Sequence, residues 1–137
     1  MDNFVWDSTK PFYGKQLTDI RGFGRLERES SKPYTSGLVD SSRGATTHEF
    51  IFSGVQVVGF FIPGDRFFLR YVEVTTPTYF LAKGLRVGSP KAEVERLLGL
   101  PSQVLANSFE YNGETESAIF HFKEGKVVRV ELHVYAD

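Results

Sequence analysis

From Thr47 onward, much of the chain alternates apolar and polar residues with a period of two. THEFIFSG (47–54), VQVVGFFIPG (55–64) and RFFLRYVEVTT (66–76) carry the pattern, punctuated by Gly54 and by Pro63-Gly64. SFEYNG (108–113), ESAIFHFK (116–123) and KVVRVELHVY (126–135) repeat it. Alternation of this kind predicts half-buried strands. It places Ala118, Phe120 and Phe122 on one face, and Val128, Val130, Leu132 and Val134 on one face of the next strand. A two-residue Glu124-Gly125 turn would pair Lys123 with Lys126 and set Phe120 opposite Arg129, mixing the faces. A three-residue loop with Gly125 in the left-handed conformation restores apolar against apolar, so a bulged hairpin is predicted.

One stretch has a different period. In GLRVGSPKAEVERLLGLP (84–101), Val94, Leu97 and Leu98 form a helical stripe. Ser89 reads as its N-cap and Pro90 as its first helical residue, while Gly99 and Pro101 stop it. A helix of about ten residues is marginal alone in water, so its stripe must dock on the strands. SSKPYTSGLVDSSRGATT (30–47) is rich in Ser, Thr and Gly and reads as a long exposed loop, either a tolerated insertion or a functional one.

The two groups of strands invite comparison. GKQLTDIRGFG, from Gly14, parallels GSPKAEVERLLG, from Gly88: Asp19 matches Glu93, Ile20 matches Val94 and Phe23 matches Leu97. Phe50-x-Phe52-x-Gly54 matches Phe109-x-Tyr111-x-Gly113. Phe61-Ile-Pro-Gly64 matches Phe122-Lys-Glu-Gly125, and Leu69-Arg70 matches Val128-Arg129. The shared order is a helix followed by three strands, twice.

GLRVGSPKAEVERLLGLPS, followed by FEYNG and IFHFKEGKVVRVEL, resembles the SmpA/OmlA unit of bacterial envelope proteins. In that unit a G-x-x-x-G…V-x-x-L-L-G-x-P helix precedes an antiparallel meander. Two units in tandem resemble the β-lactamase inhibitory protein fold. Residues 77–137 carry the resemblance well, and the first half carries it less fully. The resemblance implies an α+β fold: one continuous antiparallel sheet of about six to eight strands with two short helices on one face. It is read as a single domain, 1–137, with pseudo-repeat halves at about 1–76 and 77–137. The resemblance also implies a protein-binding role without catalysis, in a periplasmic or envelope setting, with the cytoplasm as the alternative. Unlike the lipoproteins and the secreted inhibitor, this chain has no cysteine, so neither a lipoprotein anchor nor disulfide staples are expected.

Composition narrows the remaining classes. Sixteen basic residues against seventeen acidic ones, without long runs of one sign, argue against a nucleic-acid binder relying on phosphate contacts. No apolar run reaches membrane-spanning length. The opening MDNFVWDSTKPFYG lacks a basic segment followed by an apolar one, so no signal peptide is expected, although Met1 fits a trimmed export product equally.

The histidines are the first place to look for an enzyme. In either register consistent with the faces, His121 lies opposite Val127 or Arg129. His133 then sits four to six residues further along, on the order of 13 Å or more away, too far to share one zinc ion with it directly. His48-Glu49, with Asp40, Ser41 and Ser42 upstream, lacks a nucleophile elbow and a second histidine at zincin spacing. RGFGRLE is no dinucleotide fingerprint, since Glu27 stands where the third glycine belongs. No catalytic residue, metal or cofactor is therefore expected.

Surface remains. The expected partner-binding residues are Tyr111, His121, Lys123, Arg129, Glu131, His133 and Tyr135, a mixture resembling binding hot spots and also ordinary exposed sheet. Phe60-Phe61 and Phe67-Phe68 must each point to both faces of a strand. Either a loop, or the N-terminal segment with Trp6 and Phe12, covers the second face, or some rings await a partner. With thirteen phenylalanines, a small-ligand or lipid carrier is the alternative to a protein-binding module.

Overall fold

The computed structural model describes residues 3–33, 44–64 and 66–135. It contains three short helices, α1 (Phe4–Ser8), α2 (Leu17–Arg21) and α3 (Lys91–Leu98). Its strands are β1 (Leu26–Pro33), β2 (Thr46–Phe52), β3 (Val55–Phe61), β4 (Phe67–Val74), β5 (Gln103–Leu105), β6 (Ser108–Asn112), β7 (Glu116–Lys123) and β8 (Lys126–Val134). They form one antiparallel sheet in the order β1-β2-β3-β4-β8-β7-β6-β5, so the α+β fold expected from the sequence is present. The order is palindromic: two four-stranded meanders meet through their last strands.

Each half therefore has four strands where the alternation marks three. The additional strands, β1 and β5, are the two edges of the sheet. β1, LERESSKP, is almost entirely exposed, and its charges and terminal proline are what protect an edge from pairing with other chains. An edge guarded in this way shows no apolar period. Ser30–Pro33 and Thr46–Thr47 are consequently strand and not loop; residues 34–43, the remainder of the expected loop apart from Gly44 and Ala45, lie outside the described residues.

All three helices lie on one face. Val94 and Leu98 of α3 are buried, and Tyr111 Oη donates to the Gly99 carbonyl at 3.0 Å where the helix ends. Gly99 adopts φ 82°, a conformation costly for other residues. The helix starts one residue later than its sequence suggests. Pro90, not Ser89, is the N-cap, because residues 88–91 pair with the start of β8. Gly88 N–H donates to Val127 O at 2.8 Å, Val127 N–H to Ser89 O at 2.9 Å and Lys91 N–H to Gly125 O at 2.9 Å. Ser89 Oγ instead accepts the Arg86 N–H. α2 is only five residues long and is started by a capping box between Gln16 and Asp19.

The N-terminal segment belongs to this same layer. Phe4 of α1 meets Phe120 with ring centroids 5.7 Å apart, and Phe12 packs among Phe23 and Tyr79. Tyr79 Oη donates to Ser8 O, while Ser8 Oγ accepts Ala82 N–H at 2.9 Å. Phe4, Phe12, Phe50, Phe67 and Phe120 are fully buried, each contributing about 1.5–3 kcal/mol of transfer free energy. Trp6 and Phe12 thus do not cover the second face.

The β7–β8 hairpin corrects its register within the strand. Glu124 (φ 54°) and Gly125 (φ 76°) form a two-residue turn with Lys123 opposite Lys126, as left-handed residues at both turn positions allow. A bulge at Val128 then shifts the pairing, so Val127 faces Phe122, Arg129 faces His121 and Phe120 faces Val130. Val128 is 42% exposed, and Val127 takes its expected place in the core.

The first meander carries the matching bulge at Arg70, between the pairs Val58–Tyr71 and Gly59–Leu69. A Cβ on Gly59 would lie 2.3 Å from Phe68 O and 2.4 Å from Phe67 Cζ. Gly59→Ala is therefore expected to destabilise the protein by about 2–3 kcal/mol, read as a lower urea midpoint with an unchanged slope.

Candidate functional site

Because the helices cover one face, the side chains that alternate with the core point outward from the other. At the seam, Val72 and Val74 of β4 and Val130 and Leu132 of β8 face the helices. Glu73 and Glu131 stand directly opposite one another on the free face. Like charges in this position repel. Each is held by the residue two positions earlier in its own strand: Tyr71 Oη donates to Glu73 Oε2, and Arg129 Nη2 donates to Glu131 Oε2 at 3.0 Å.

Glu131 has further partners. His121 Nε2 bonds its Oε2, and His133 Nε2 lies 3.3 Å from its Oε1. Arg129 Nη2 is also 3.1 Å from His121 Nε2. Of the two registers expected, the strands adopt the one with His121 opposite Arg129, and the Glu131 carboxylate, unforeseen from spacing, stands between the two rings and contacts both. Burial raises the pKa of Glu131, and the His121 hydrogen bond and the Arg129 charge together outweigh it, holding the group below the usual carboxylate range. Tyr71 is held well above the usual tyrosine value, first by burial and then by its bond to Glu73.

His133 also packs its ring near those of Tyr71, at 4.9 Å, and Tyr135, at 6.3 Å. Tyr135 is 63% exposed, with its hydroxyl 2.8 Å from Ser117 Oγ. His121, Lys123, Arg129, Glu131, His133 and Tyr135 are therefore on the free face or at its margin. Tyr111 is not. It is buried among the core rings, and its hydroxyl is pushed up to about 12 by burial and by the charge of Glu95. Its alternation with Glu110 already assigned it to the face of Phe109.

Two further participants, Tyr71 and Glu73, were not among the expected partner-binding residues. Both lie in a strand recognised as such, but only the β4–β8 pairing brings them to the cluster. The second aromatic group is separate. Phe60 and Phe68 stack on the free face with centroids 4.9 Å apart, packed with Ala45 and Ile62. Arg70 lies over Phe60 at 4.6 Å and Arg66 over Phe68 at 5.0 Å. The covering of this face is thus local, and Phe67 is in the main core.

His48 is buried on the helix side, stacked on Phe50. Its Nε2 is 2.7 Å from Thr46 Oγ1 and its Nδ1 is 3.8 Å from Glu29 Oε2. The order hydroxyl, imidazole, carboxylate does not make a triad, because both Glu29 oxygens bind Arg21, at 2.8 and 2.9 Å, and neither orients the ring. Glu49 is on the opposite face, bonded to Gln56, and Asp40, Ser41 and Ser42 lie outside the described residues.

The fold places the chain in a class, one-sheet α+β proteins with a single helical layer. No family model and no curated protein sequence matches it. Among solved structures, a cysteine-rich secretory protein from Staphylococcus aureus is similar with a TM-score of 0.55 at 14% identity, over 90% of this chain. This chain spans 44% of that protein's length, and the likeness is one of fold. The uncharacterized protein YfeY from Escherichia coli is similar over 92% of this chain and 91% of its own, at 16% identity and a TM-score of 0.44.

The seam yields a paired prediction. Glu73→Gln removes a repulsion and should raise the melting temperature, whereas Glu131→Gln loses charge-assisted bonds and should lower it. Glu131 titrates lower in the folded than in the unfolded chain. Its stabilisation is therefore complete above the unfolded value of about 4.3 and is lost as pH falls toward the folded one. Denaturant unfolding from neutral pH downward should accordingly show a shallower acid decline in Glu131→Gln than in the natural protein.

Proposed function

We propose that this chain is a non-enzymatic protein-binding module of bacterial envelope type, acting as an inhibitor, an immunity-type protein or an assembly accessory subunit. The carrying observation is the one-sided helical layer. Among the described residues it leaves the β4–β8–β7 part of the other sheet face free, and the centre of that face presents ordered Arg, His and Tyr side chains. Partly desolvated side chains locked in one arrangement lose little entropy on binding. Tyr and Arg are the residue types that most often anchor protein interfaces. The SmpA/OmlA resemblance of residues 77–137 supports the same reading and a periplasmic or envelope setting, with the cytoplasm as the alternative. Among the described residues no helix is long and apolar enough to cross a membrane.

The carrier alternative has less behind it. Most of the phenylalanines are buried in ring-to-ring contacts, and the depression of about 470 Å³ lined by Gly14, Gln16, Phe61, Gly64 and Arg66 lies open to solvent.

An affinity pull-down from envelope and soluble fractions of the source organism tests the proposal. It is run in parallel with an Arg129→Glu, Tyr135→Ala double variant. One dominant protein partner, lost with the variant, is expected. A partner retained by the variant would move the contact surface elsewhere, and intrinsic turnover of a defined substrate by the purified protein would overturn the reading.

A further inference from the structure

The Arg21–Glu29–His48 group has no role in the free sheet face. α2 is held to edge strand β1 by one two-pronged ion pair, Arg21 Nε to Glu29 Oε1 at 2.8 Å and Arg21 Nη2 to Glu29 Oε2 at 2.9 Å. Behind it, the His48 side chain is only 10% exposed, and its Nδ1 is a buried polar atom without a hydrogen-bond partner among the described residues. Such atoms are uncommon in folded proteins and call for a reason. Among the described residues the charged groups facing the ring are Glu29, from β1, and Arg21, from α2. Its other neighbours, Thr46 and Phe50 of β2 and Phe61 of β3, carry no charge at neutral pH.

We propose that His48 and Glu29 form an acid-operated latch that loosens α2 from β1 when His48 takes up a proton. A buried imidazolium needs a carboxylate, and Glu29 Oε2, 3.8 Å from Nδ1, is the one facing it. Closing that gap to about 2.8 Å, the length of a charge-assisted bond, draws Oε2 away from Arg21 Nη2 by roughly the same movement. The two-pronged clamp becomes a single contact, and α2 and β1 are held less firmly while the second meander is untouched. Burial holds the His48 pKa below the ordinary 6.5, with Glu29 opposing the effect. The neutral, latched state therefore prevails at and above neutral pH, and stability in this corner is lost as pH falls below the unfolded value. The inference stands independently of the protein-binding reading.

Hydrogen exchange read residue by residue tests it, together with NMR titration of the His48 ring in the whole protein. Between about pH 7.5 and pH 5, protection factors of the α2 amides should fall by about tenfold or more, while those of β7 and β8 hold. The fall should follow the His48 titration midpoint and vanish in His48→Gln. Glu29→Gln should show weak protection at both pH values. If His48→Gln fails to fold, coincidence of the two midpoints in the natural protein decides the matter. Uniform loss across the sheet, a fall that ignores the His48 midpoint, or one that survives in His48→Gln overturns the latch.

Discussion

The structure depends on the antiparallel pairing of β4 with β8. Four residue pairs, Tyr71–His133 to Val74–Val130, join two meanders into one sheet. Neither meander could bury its apolar face alone behind so short a helix. Joined, they share a core to which α1, α2, α3 and the Tyr79–Leu85 segment contribute. The seam also sets which residues reach the centre of the free face. Glu73 and Glu131, distant in sequence, become neighbours there, and the hydroxyl, guanidinium and imidazole groups around them are arranged to hold two carboxylates side by side.

The two halves use the same plan with different chemistry. A bulge follows the hairpin turn in each, at Arg70 and at Val128. Beside it on the free face, the first half places stacked phenylalanines covered by arginines, and the second places histidines around a carboxylate. On the helix side the two halves bury matching rings, Phe50 and Phe52 in the first and Phe109 and Tyr111 in the second, and the first half adds the buried imidazole of His48.

Much of this was legible in the sequence. Six strands and the α3 helix follow from apolar periodicity, because those elements each have one dry face. β1 and β5 were not legible, since an edge strand is recognised by its pairing and its exposed residues carry no period. The Val128 bulge shows the limit of face counting: the mismatch was visible, but whether turn or strand absorbs it depends on the left-handed backbone of Glu124. His121, Arg129, Glu131 and His133 could be placed on one face by alternation alone. That Glu131 links them, and that Tyr71 and Glu73 join them, requires rotamers and a cross-strand register that no local pattern records. Tyr111 shows the reverse error, a polar tip taken as a surface group although its ring alternates with the core.

The palindromic order has a kinetic consequence. Hairpins β1–β2–β3–β4 and β5–β6–β7–β8 close between neighbouring segments, at little entropic cost, whereas the seam joins residues roughly 60 positions apart in the chain. Its formation must wait until both ribbons are largely built. Until then each ribbon exposes the unpaired edge of its own final strand, β4 or β8, which is apolar and uncharged on one side. A nascent molecule and a neighbouring copy offer each other the same edge. Concentration during folding therefore decides whether β4 finds β8 of its own chain or of another, and an exchanged dimer is the natural by-product of this architecture.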